Sequence, residues 1–251
     1  MELPTGELTL HGRVMPASNA TFVGEIDGRR VVYKPVAGER PLWDFPDGTL
    51  AAREEAAYLV SEALGWGIVP RTWRRDGPHG YGMVQLWEEP DPVAEAVTLV
   101  HGDDVPDGYR YVFEGLDDRD QVVSLVHEDT PALRRMAVFD AVVNNADRKG
   151  GHVLAMTDGH RYGVDHGLTF HVEHKLRTVL WGWAGEQLTD EDDACLERLS
   201  HSLEGDLGEQ LLGFLTPHEV EATRRRVKRL RRVGTLPEPG QGWRAIPWPP
   251  F

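Results

Sequence analysis

Cysteine and lysine are scarce in this chain of 251 residues, which has one cysteine, Cys195, and four lysines against 23 arginines. A single cysteine excludes an internal disulfide and a zinc site built from several thiolates. No apolar run approaches the roughly 20 residues of a transmembrane helix, so a membrane-spanning protein is excluded. The first residues lack the basic and apolar segments of a secretion signal, and we therefore expect a cytoplasmic protein.

Positive charge is also scarce, since the formal net charge is −14. A surface of this charge repels nucleic acid and anionic lipid, so we expect no nucleic-acid partner, and a phosphate-bearing ligand must meet a local positive site. One basic run, RRRVKRLRR at 224–232, carries Val227 and Leu230 on one helical stripe. We interpret it as a solvated helix face, with lipid or RNA binding as the alternative.

Residues that favour strands dominate the first third of the chain. We predict strands over 8–12, 21–26 and 30–34, with Asp27 and Gly28 as the hairpin turn before the third strand. Together these segments predict a small antiparallel sheet.

A helix and two further strands follow. Residues 50–64 are rich in helix formers and precede Gly65, a typical helix end. Strand-like residues recur over 68–73 and 81–87. The next segment, EEPDP at 88–92, is rich in proline and acid and indicates a boundary.

The remaining chain has a different pattern. Helical spacing of apolar residues predicts a buried helix over 131–145, and two short strands, 153–156 and 160–164, are expected around a turn. Thr216 to Glu219 form a capping box with proline in the first turn, which marks a helix start. We predict an α+β fold with two lobes, a strand-rich N-lobe over 1–88 and a mostly helical C-lobe over 89–251.

The order of four polar residues along the chain suggests a reaction type. Phosphoryl transfer requires a cation on the donor phosphates, a group that holds it, a carboxylate-bound metal and an acid facing the acceptor hydroxyl. Lys34 closes a strand, Glu54 lies in the next helix, Asp147 follows the buried helix and Asp165 ends a strand. Each alone is more often a surface charge or a turn residue. Their joint order favours a phosphotransferase.

These residues also resemble a known family, the phosphatidylinositol 3-/4-kinase-like group, and most closely its type II phosphatidylinositol 4-kinase branch with the small bacterial proteins related to it. The resemblance runs in segments from about Gly12 to Phe170. The matching segments are ASNATF (17–22), VYKP (32–35), EEAAYLV (54–60), IVPRT (68–72), GMVQLW (82–87), NADR (145–148) and VDHGLTF (164–170).

The resemblance implies a two-lobed, protein-kinase-like fold that uses ATP with Mg²⁺ or Mn²⁺. It implies that Lys34 binds ATP with Glu54 as its partner. It also implies that Asp147 orients the acceptor hydroxyl, that Arg148 stabilises the catalytic loop, and that Asp165 holds the metal.

The same resemblance implies further ATP contacts. Ser18 and Asn19 lie in the place of the loop that covers the phosphates, although a conventional glycine-rich loop is missing. Gln85, Leu86 and Trp87 fall in the hinge whose backbone receives adenine.

One position departs from the family. His152 stands where the family has the asparagine that binds the second metal. Imidazole suits manganese or zinc better than magnesium. The departure keeps a second reading open, a nucleotide-binding regulatory module with weak or no catalysis (a pseudokinase).

The acceptor and one competing function stay open. The acceptor is a lipid headgroup, a protein or a small molecule, and His171, His174, Lys175 and Arg177 would attract an acidic acceptor or form a solvated loop. Five histidines between 152 and 174 suggest a transition-metal hydrolase, but they lack a helical H-E-x-x-H motif.

Overall fold

Five antiparallel strands and one helix form the N-terminal part of the protein. The computed structural model describes residues 3–15, 19–102, 104–240 and 244–251. The sheet has the order β1-β2-β3-β5-β4. Asp27 and Gly28 both have positive φ, 50° and 74°, which confirms the predicted hairpin turn. The elements are β1 (Thr9–Arg13), β2 (Phe22–Ile26), β3 (Arg29–Pro35), α1 (Leu50–Leu64), β4 (Thr72–Gly77) and β5 (Gly80–Leu86).

Successive side chains of β3 point to opposite faces of this sheet. Val31 and Tyr33 are fully buried in an apolar cluster with Trp73 and Val84. Lys34 follows Tyr33 and so points to the other face, where α1 packs against β4 and β5. The sheet therefore presents the Lys34 amine to the helix.

Helix α1 has the bounds that the sequence predicts. The Glu39 carboxylate accepts hydrogen bonds from the N–H groups of Leu50 and Ala51, at 3.1 and 2.9 Å, which satisfies two donors of the first turn. Gly65 ends the helix in the left-handed region, with φ 72°.

The strand predicted over 68–73 is wrong for its first four residues, because β4 begins at Thr72. Pro70 has no N–H to donate to a ladder. The N–H of Val69 donates to Ser61 Oγ instead, at 3.1 Å.

A second antiparallel sheet follows, which the sequence analysis did not anticipate. Its strands are β6 (Val97–His101), β7 (Tyr109–Leu116) and β8 (Val122–Glu128), in the order β6-β8-β7. The remaining elements are mostly helical, as predicted. They are α2 (Pro131–Val143), β9 (Val153–Ala155), β10 (Arg161–Gly163), α3 (Asp190–Glu204), α4 (Asp206–Leu211) and α5 (Pro217–Val233).

Helix α2 is the central helix of this part. The Thr130 hydroxyl caps its start by accepting from the Leu133 N–H, at 3.3 Å. The helix ends two residues before the predicted bound at Asn145, because Asn144 turns left-handed with φ 55°. The capping box at Thr216 and Glu219 is confirmed as the start of α5.

The two parts share one apolar core. Buried residues of α1, among them Ala56, Val60 and Leu64, belong to the same cluster as residues of α2 and α3. Helix α1 is therefore held between the first sheet and the helical layer. Within the described ranges, we find no helix with the length and apolar character needed to cross a bilayer.

Candidate active site

Lys34, Glu54 and Asp165 meet at one point although the first and last are 131 residues apart. Lys34 Nζ donates to Glu54 Oε1 at 2.7 Å and to Asp165 Oδ1 at 2.8 Å. The Glu54 side chain is 2% exposed, whereas that of Asp165 is 48% exposed. The amine thus bridges a buried carboxylate and one that is open to a ligand.

The three charges set each other's protonation. Burial opposes the charge on Lys34, but the carboxylates of Asp165 and Glu54 outweigh it and raise the pKa of the amine. The Lys34 charge lowers the pKa of Asp165. Burial raises the pKa of Glu54, against the lowering effect of Lys34. A charged amine therefore faces an ionised Asp165 at neutral pH.

Helix α1 is fixed on its other side by buried contacts next to Glu54. Arg53 Nη2 lies 2.5 Å from Glu219 Oε1, and Arg53 Nη1 donates to the Thr169 carbonyl at 2.7 Å. Glu54 Oε2 accepts from the His166 N–H at 2.8 Å. Removing one partner of a buried ion pair is costly, so these contacts hold Glu54 in place.

Asp140 and Arg148 anchor the loop that follows α2. Both side chains are fully buried, and the Arg148 guanidinium donates to both oxygens of Asp140. Arg148 also donates to the carbonyls of His152 and Val164, at 3.1 and 3.2 Å, and to His166 Nε2, at 2.7 Å. Arg148 has no exposed surface, and its hydrogen bonds all lie within the protein.

Asp147 lies on this loop with its side chain 28% exposed. Burial raises the pKa of Asp147 to about 6, and Lys149 opposes the rise while the Asp165 charge adds to it. The Asp147 N–H donates to Asn145 Oδ1 at 3.0 Å, and Asn145 in turn donates to Asp140. The carboxyl is therefore held on a rigid loop and feels the charge of Asp165.

His152 closes the same loop against Asp165. Its Nδ1 lies 2.9 Å from the Asp147 carbonyl and 3.5 Å from the Lys149 nitrogen. The shorter contact is to a group that can only accept, and it assigns the proton to Nδ1. Burial, aided by Arg148 and Lys34, lowers the pKa of His152, although Asp165 opposes the shift. The ring is neutral, and the lone pair on Nε2 faces Asp165 Oδ2 at 3.3 Å. Two electron-rich atoms at this distance suit a cation.

Asp165 itself has an unusual backbone, with φ 61°. A non-glycine residue in this region costs free energy and persists where the surrounding structure enforces it. The neighbouring His166 supplies that enforcement, since its side chain is fully buried between Arg148 and the edge of the Phe139 ring.

The expected phosphate-loop residues are placed only in part. Ser18 lies outside the described residues. Asn19 lines a pocket with Lys34, Glu54 and Asp165. Its Oδ1 accepts from the Arg40 N–H at 2.8 Å, which ties it to the segment after β3. Asn19 therefore borders the pocket with one amide atom already used.

The expected hinge residues are engaged within the protein. Gln85 is buried, and its Nε2 donates to Thr72 Oγ1 at 2.8 Å. The N–H of Leu86 donates to the Arg71 carbonyl, at 2.9 Å, and that of Trp87 to the Arg30 carbonyl, at 3.0 Å. Any adenine contact at Leu86 or Trp87 has to use a carbonyl oxygen or a side chain.

Sequence reasoning missed two positioning residues. Asp140 was seen only as a position of the buried helix, although an acid on an apolar face requires a partner. Asn144 Nδ2 donates to the carbonyls of His171 and Glu173, at 2.9 and 2.6 Å, and so fixes the segment after Asp165. The only available signal was its place at the helix end.

The five histidines do not form a common site. His160 contacts the Gly67 carbonyl, His166 is buried, and His171 packs on Phe45. In the described part of the chain, no three or more His, Cys, Asp or Glu side chains converge to hold a metal ion. The transition-metal hydrolase reading therefore has no structural support there.

Comparison with known proteins gives a relative of similar length and a likeness to solved structures. No family model matches the chain. Protein Rv2133c of Mycobacterium tuberculosis (strain ATCC 25618 / H37Rv) is 50% identical over 262 residues, which cover 99% of this chain and 94% of that protein. A crystal structure of the Helicobacter pylori proinflammatory kinase CtkA aligns with a TM-score of 0.48 and 10% identity, over 92% of this chain and 93% of that one. The relative's name states no activity, and a structural likeness of this size does not assign one.

Proposed function

Since this chain belongs to the family of Protein Rv2133c, whose name states no activity, we propose a function from the site itself. The protein is an ATP-dependent phosphotransferase of the kinase type, which transfers the γ-phosphate to a hydroxyl group. Residues 1–88 form the lobe that binds ATP, and residues 89–251 form the lobe that carries Asp147 and Asp165.

The observation that carries this proposal is the amine of Lys34 between Glu54 and Asp165. In protein kinases a lysine on the third strand pairs with a glutamate on the following helix, and an aspartate binds the metal. Here the lysine is on β3, the glutamate is on α1 and the aspartate follows β10. Unrelated surface charges have no reason to combine in this order at 2.7 and 2.8 Å.

The residues present fit ATP with a divalent metal. Asp165 Oδ2 and His152 Nε2 would hold the ion, and Lys34 would bind the donor phosphates. Magnesium in kinase sites takes one or two carboxylates and completes its coordination with phosphate oxygens and water. Two protein ligands are therefore sufficient. When bound, the metal neutralises charge on the phosphates.

Asp147 faces the acceptor in this proposal. His152 stands five positions after Asp147, as the metal-binding asparagine does in the kinase catalytic loop. A carboxyl with a pKa of about 6 is ionised at neutral pH and still basic enough to accept a hydrogen bond from a hydroxyl group. The buried Arg148 would hold the loop that carries Asp147 in position through its hydrogen bonds to Asp140 and to the His152 and Val164 carbonyls.

The acceptor class is open to a direct screen. The resemblance to phosphatidylinositol kinases makes an inositol lipid headgroup one candidate, and protein hydroxyls and small polyols are the others. Each carries the hydroxyl group that Asp147 would orient.

The test is metal-dependent ATP turnover by the full chain, followed by phosphate transfer to each acceptor class. Asp165→Ala should abolish turnover. Asp158→Ala is the matched control, because Asp158 is an exposed acid in the turn between β9 and β10. Turnover that survives Asp165→Ala would reject the proposal.

One observation favours a second candidate, a nucleotide-binding module without catalysis. His152 replaces an amide ligand with a neutral imidazole, which is a poorer ligand for magnesium. Calorimetry distinguishes the two candidates. Metal-dependent ATP binding by wild-type protein, with no turnover in magnesium or manganese, would establish the module.

A further inference from the structure

The basic run at 224–232 lies on α5, and most of its charges are neutralised by acids. Lys228 Nζ is 2.7 Å from Glu204 Oε1, and Arg231 Nε is 2.9 Å from Asp193 Oδ1. Arg224 and Arg225 pair with acids of α3 and α5 at longer distances. This face of the helix is therefore a solvated, ion-paired surface.

Arg226, Arg229 and Arg232 form no ion pair with any residue that the structure describes, and the first two of them border the same groove. The Arg226 guanidinium donates only to uncharged groups, the carbonyls of Val142 and His171 and the hydroxyl of Thr223, at 2.8 to 3.1 Å. Burial, with the charge of Arg225, lowers the pKa of Arg226 to about 10. The carboxylate of Glu219 opposes this shift, but it is paired with Arg53. Neither Arg226 nor Arg229 has a carboxylate at ion-pair distance among the described residues, in a protein of net charge −14.

Both arginines line a groove with a volume of about 480 Å³ between α5, α2 and the segment after Asp165. His174 lies on the same wall, and burial together with Arg229 and Arg226 lowers its pKa. The size falls in the range of roughly 300 to 1,000 Å³ that is usual for small-molecule sites.

The rest of the groove is largely apolar. Leu176 and Leu230 are buried and Val233 is half exposed, and all three border the same space. Glu238 is the one acidic residue of the lining. Its carboxylate lies beside Gly185, where a Cβ added to the glycine would be 3.1 Å from Glu238 Oε1. A ligand that fits the groove needs an anionic end for the arginines and an apolar body for the leucine and valine surface.

We infer that this groove binds an anionic amphiphile, a phosphate monoester carried on an alkyl chain. Arginine favours phosphate because its planar, forked donors match two phosphate oxygens at once. Three of the five N–H donors of Arg226 are used within the protein, which leaves two without a hydrogen bond among the described residues. The site is separate from the proposed phosphotransferase chemistry, and its occupation does not require ATP.

Calorimetry on the full chain tests the inference with octyl phosphate below its micelle concentration, butyl phosphate and inorganic phosphate. Each buried methylene strengthens binding about fourfold, and octyl phosphate has four more than butyl phosphate. With as few as two of these buried, octyl phosphate should bind more than about tenfold tighter. Val233→Ser should reduce that advantage. Equal binding of the two alkyl phosphates, or no binding of octyl phosphate, would overturn the inference.

The charge requirement has a matched pair of variants on one helix. Arg229→Gln should weaken octyl phosphate binding by about tenfold or more, because a charge-assisted hydrogen bond is lost. Arg225→Gln should leave it unchanged, since Arg225 is exposed and lies beside Glu221. Equal weakening by both variants would indicate general electrostatic attraction and reject the site. Thermal unfolding of each variant checks that the fold is intact.

Vesicle binding distinguishes the two sources of such a ligand, a membrane lipid and a free alkyl phosphate. Phosphatidylcholine vesicles with phosphatidic acid should retain the wild-type chain, but not Arg229→Gln, if the amphiphile is a membrane lipid. Binding of octyl phosphate without vesicle binding identifies a free molecule. Both measurements record binding alone, so their outcome is independent of whether the chain turns over ATP.

Discussion

The N–H of Gly150 donates a 2.8 Å hydrogen bond to the Pro250 carbonyl, which ties segment 244–251 to the loop between Asp147 and His152. The ring of Phe251 covers the same glycine, and a Cβ added to Gly150 would lie 2.4 Å from that ring. The same segment is fixed at Ala245, whose carbonyl accepts from Trp181 Nε1 at 2.9 Å. The loop that carries the proposed acceptor-orienting group thus rests on a distant part of the chain.

We expect Phe251→Ala to slow phosphate transfer without changing the affinity for ATP, because it loosens the loop and leaves Lys34 and Glu54 in place. The measurements are kcat with KM for ATP, and hydrogen exchange at the Gly150 amide, which should become faster. Phe251→Leu should restore most of the rate.

Trp248→Ala is the control for this variant, since Trp248 belongs to the same segment but its side chain is largely exposed. It should leave both the rate and the exchange unchanged. Fast exchange at Gly150 in the wild-type protein, or an unaltered kcat in Phe251→Ala, would contradict the role of Phe251.

Substitutions of Lys34 and Asp147 should affect different steps, ATP binding and phosphate transfer. Lys34→Met removes the cation that we propose binds the donor phosphates, so ATP affinity should fall. Asp147→Ala should keep ATP affinity and slow transfer by about 10²- to 10⁴-fold, the usual contribution of a positioned acid or base. Calorimetry with ATP and single-turnover kinetics separate the two effects. An equal loss of binding in both variants would be inconsistent with the assigned roles.

How much of this site can be predicted from sequence depends on how local each signal is. The bounds of α1, the turn at Asp27 and the order of Lys34 and Glu54 follow from propensity, capping and spacing within short segments. The contact of Gly150 with Phe251 does not, because no periodicity links residues that are so far apart in the chain. Helical spacing placed Asp140 on the buried face, but the partner that makes this burial tolerable is known only from the fold.

The ion pairing of α5 is likewise only partly predictable from the sequence. The run at 224–232 predicts a basic helix, and most of that helix is a solvated face, as interpreted from the sequence. Which arginines lack acids depends on where α3 and the loop after Asp165 pack. Arg226 and Arg229 therefore could not be distinguished from Arg225 by sequence alone.

The raised pKa of Asp147 predicts opposite effects on activity and stability. In the proposed function, transfer requires the ionised carboxylate, so the rate should fall as the pH drops through about 6. Because the folded-state pKa lies above the unfolded value near 3.8, the charged form opposes folding at pH 7. Asp147→Asn should therefore abolish the pH dependence together with the activity, yet raise the unfolding free energy at pH 7 by about 1–2 kcal/mol.

A pH–rate profile and denaturant unfolding at pH 4, 5.5 and 7 check these two effects. The stability gain of Asp147→Asn should shrink as the pH falls below about 6, because the wild-type carboxyl then becomes protonated. A gain that is constant with pH would mean that the substitution acts through packing and not through charge.

We expect His152 to determine which metal the proposed site prefers. Its neutral Nε2, 3.3 Å from Asp165 Oδ2, offers one nitrogen and one oxygen ligand, a combination that suits manganese better than magnesium. We expect wild-type turnover to be faster with Mn²⁺, and His152→Asn to move the preference toward Mg²⁺ because an amide oxygen is a harder ligand. His160→Asn is the control, since His160 lies in the turn between β9 and β10 and contacts the Gly67 carbonyl. An unchanged ratio of the two rates in His152→Asn would show that the imidazole does not bind the ion.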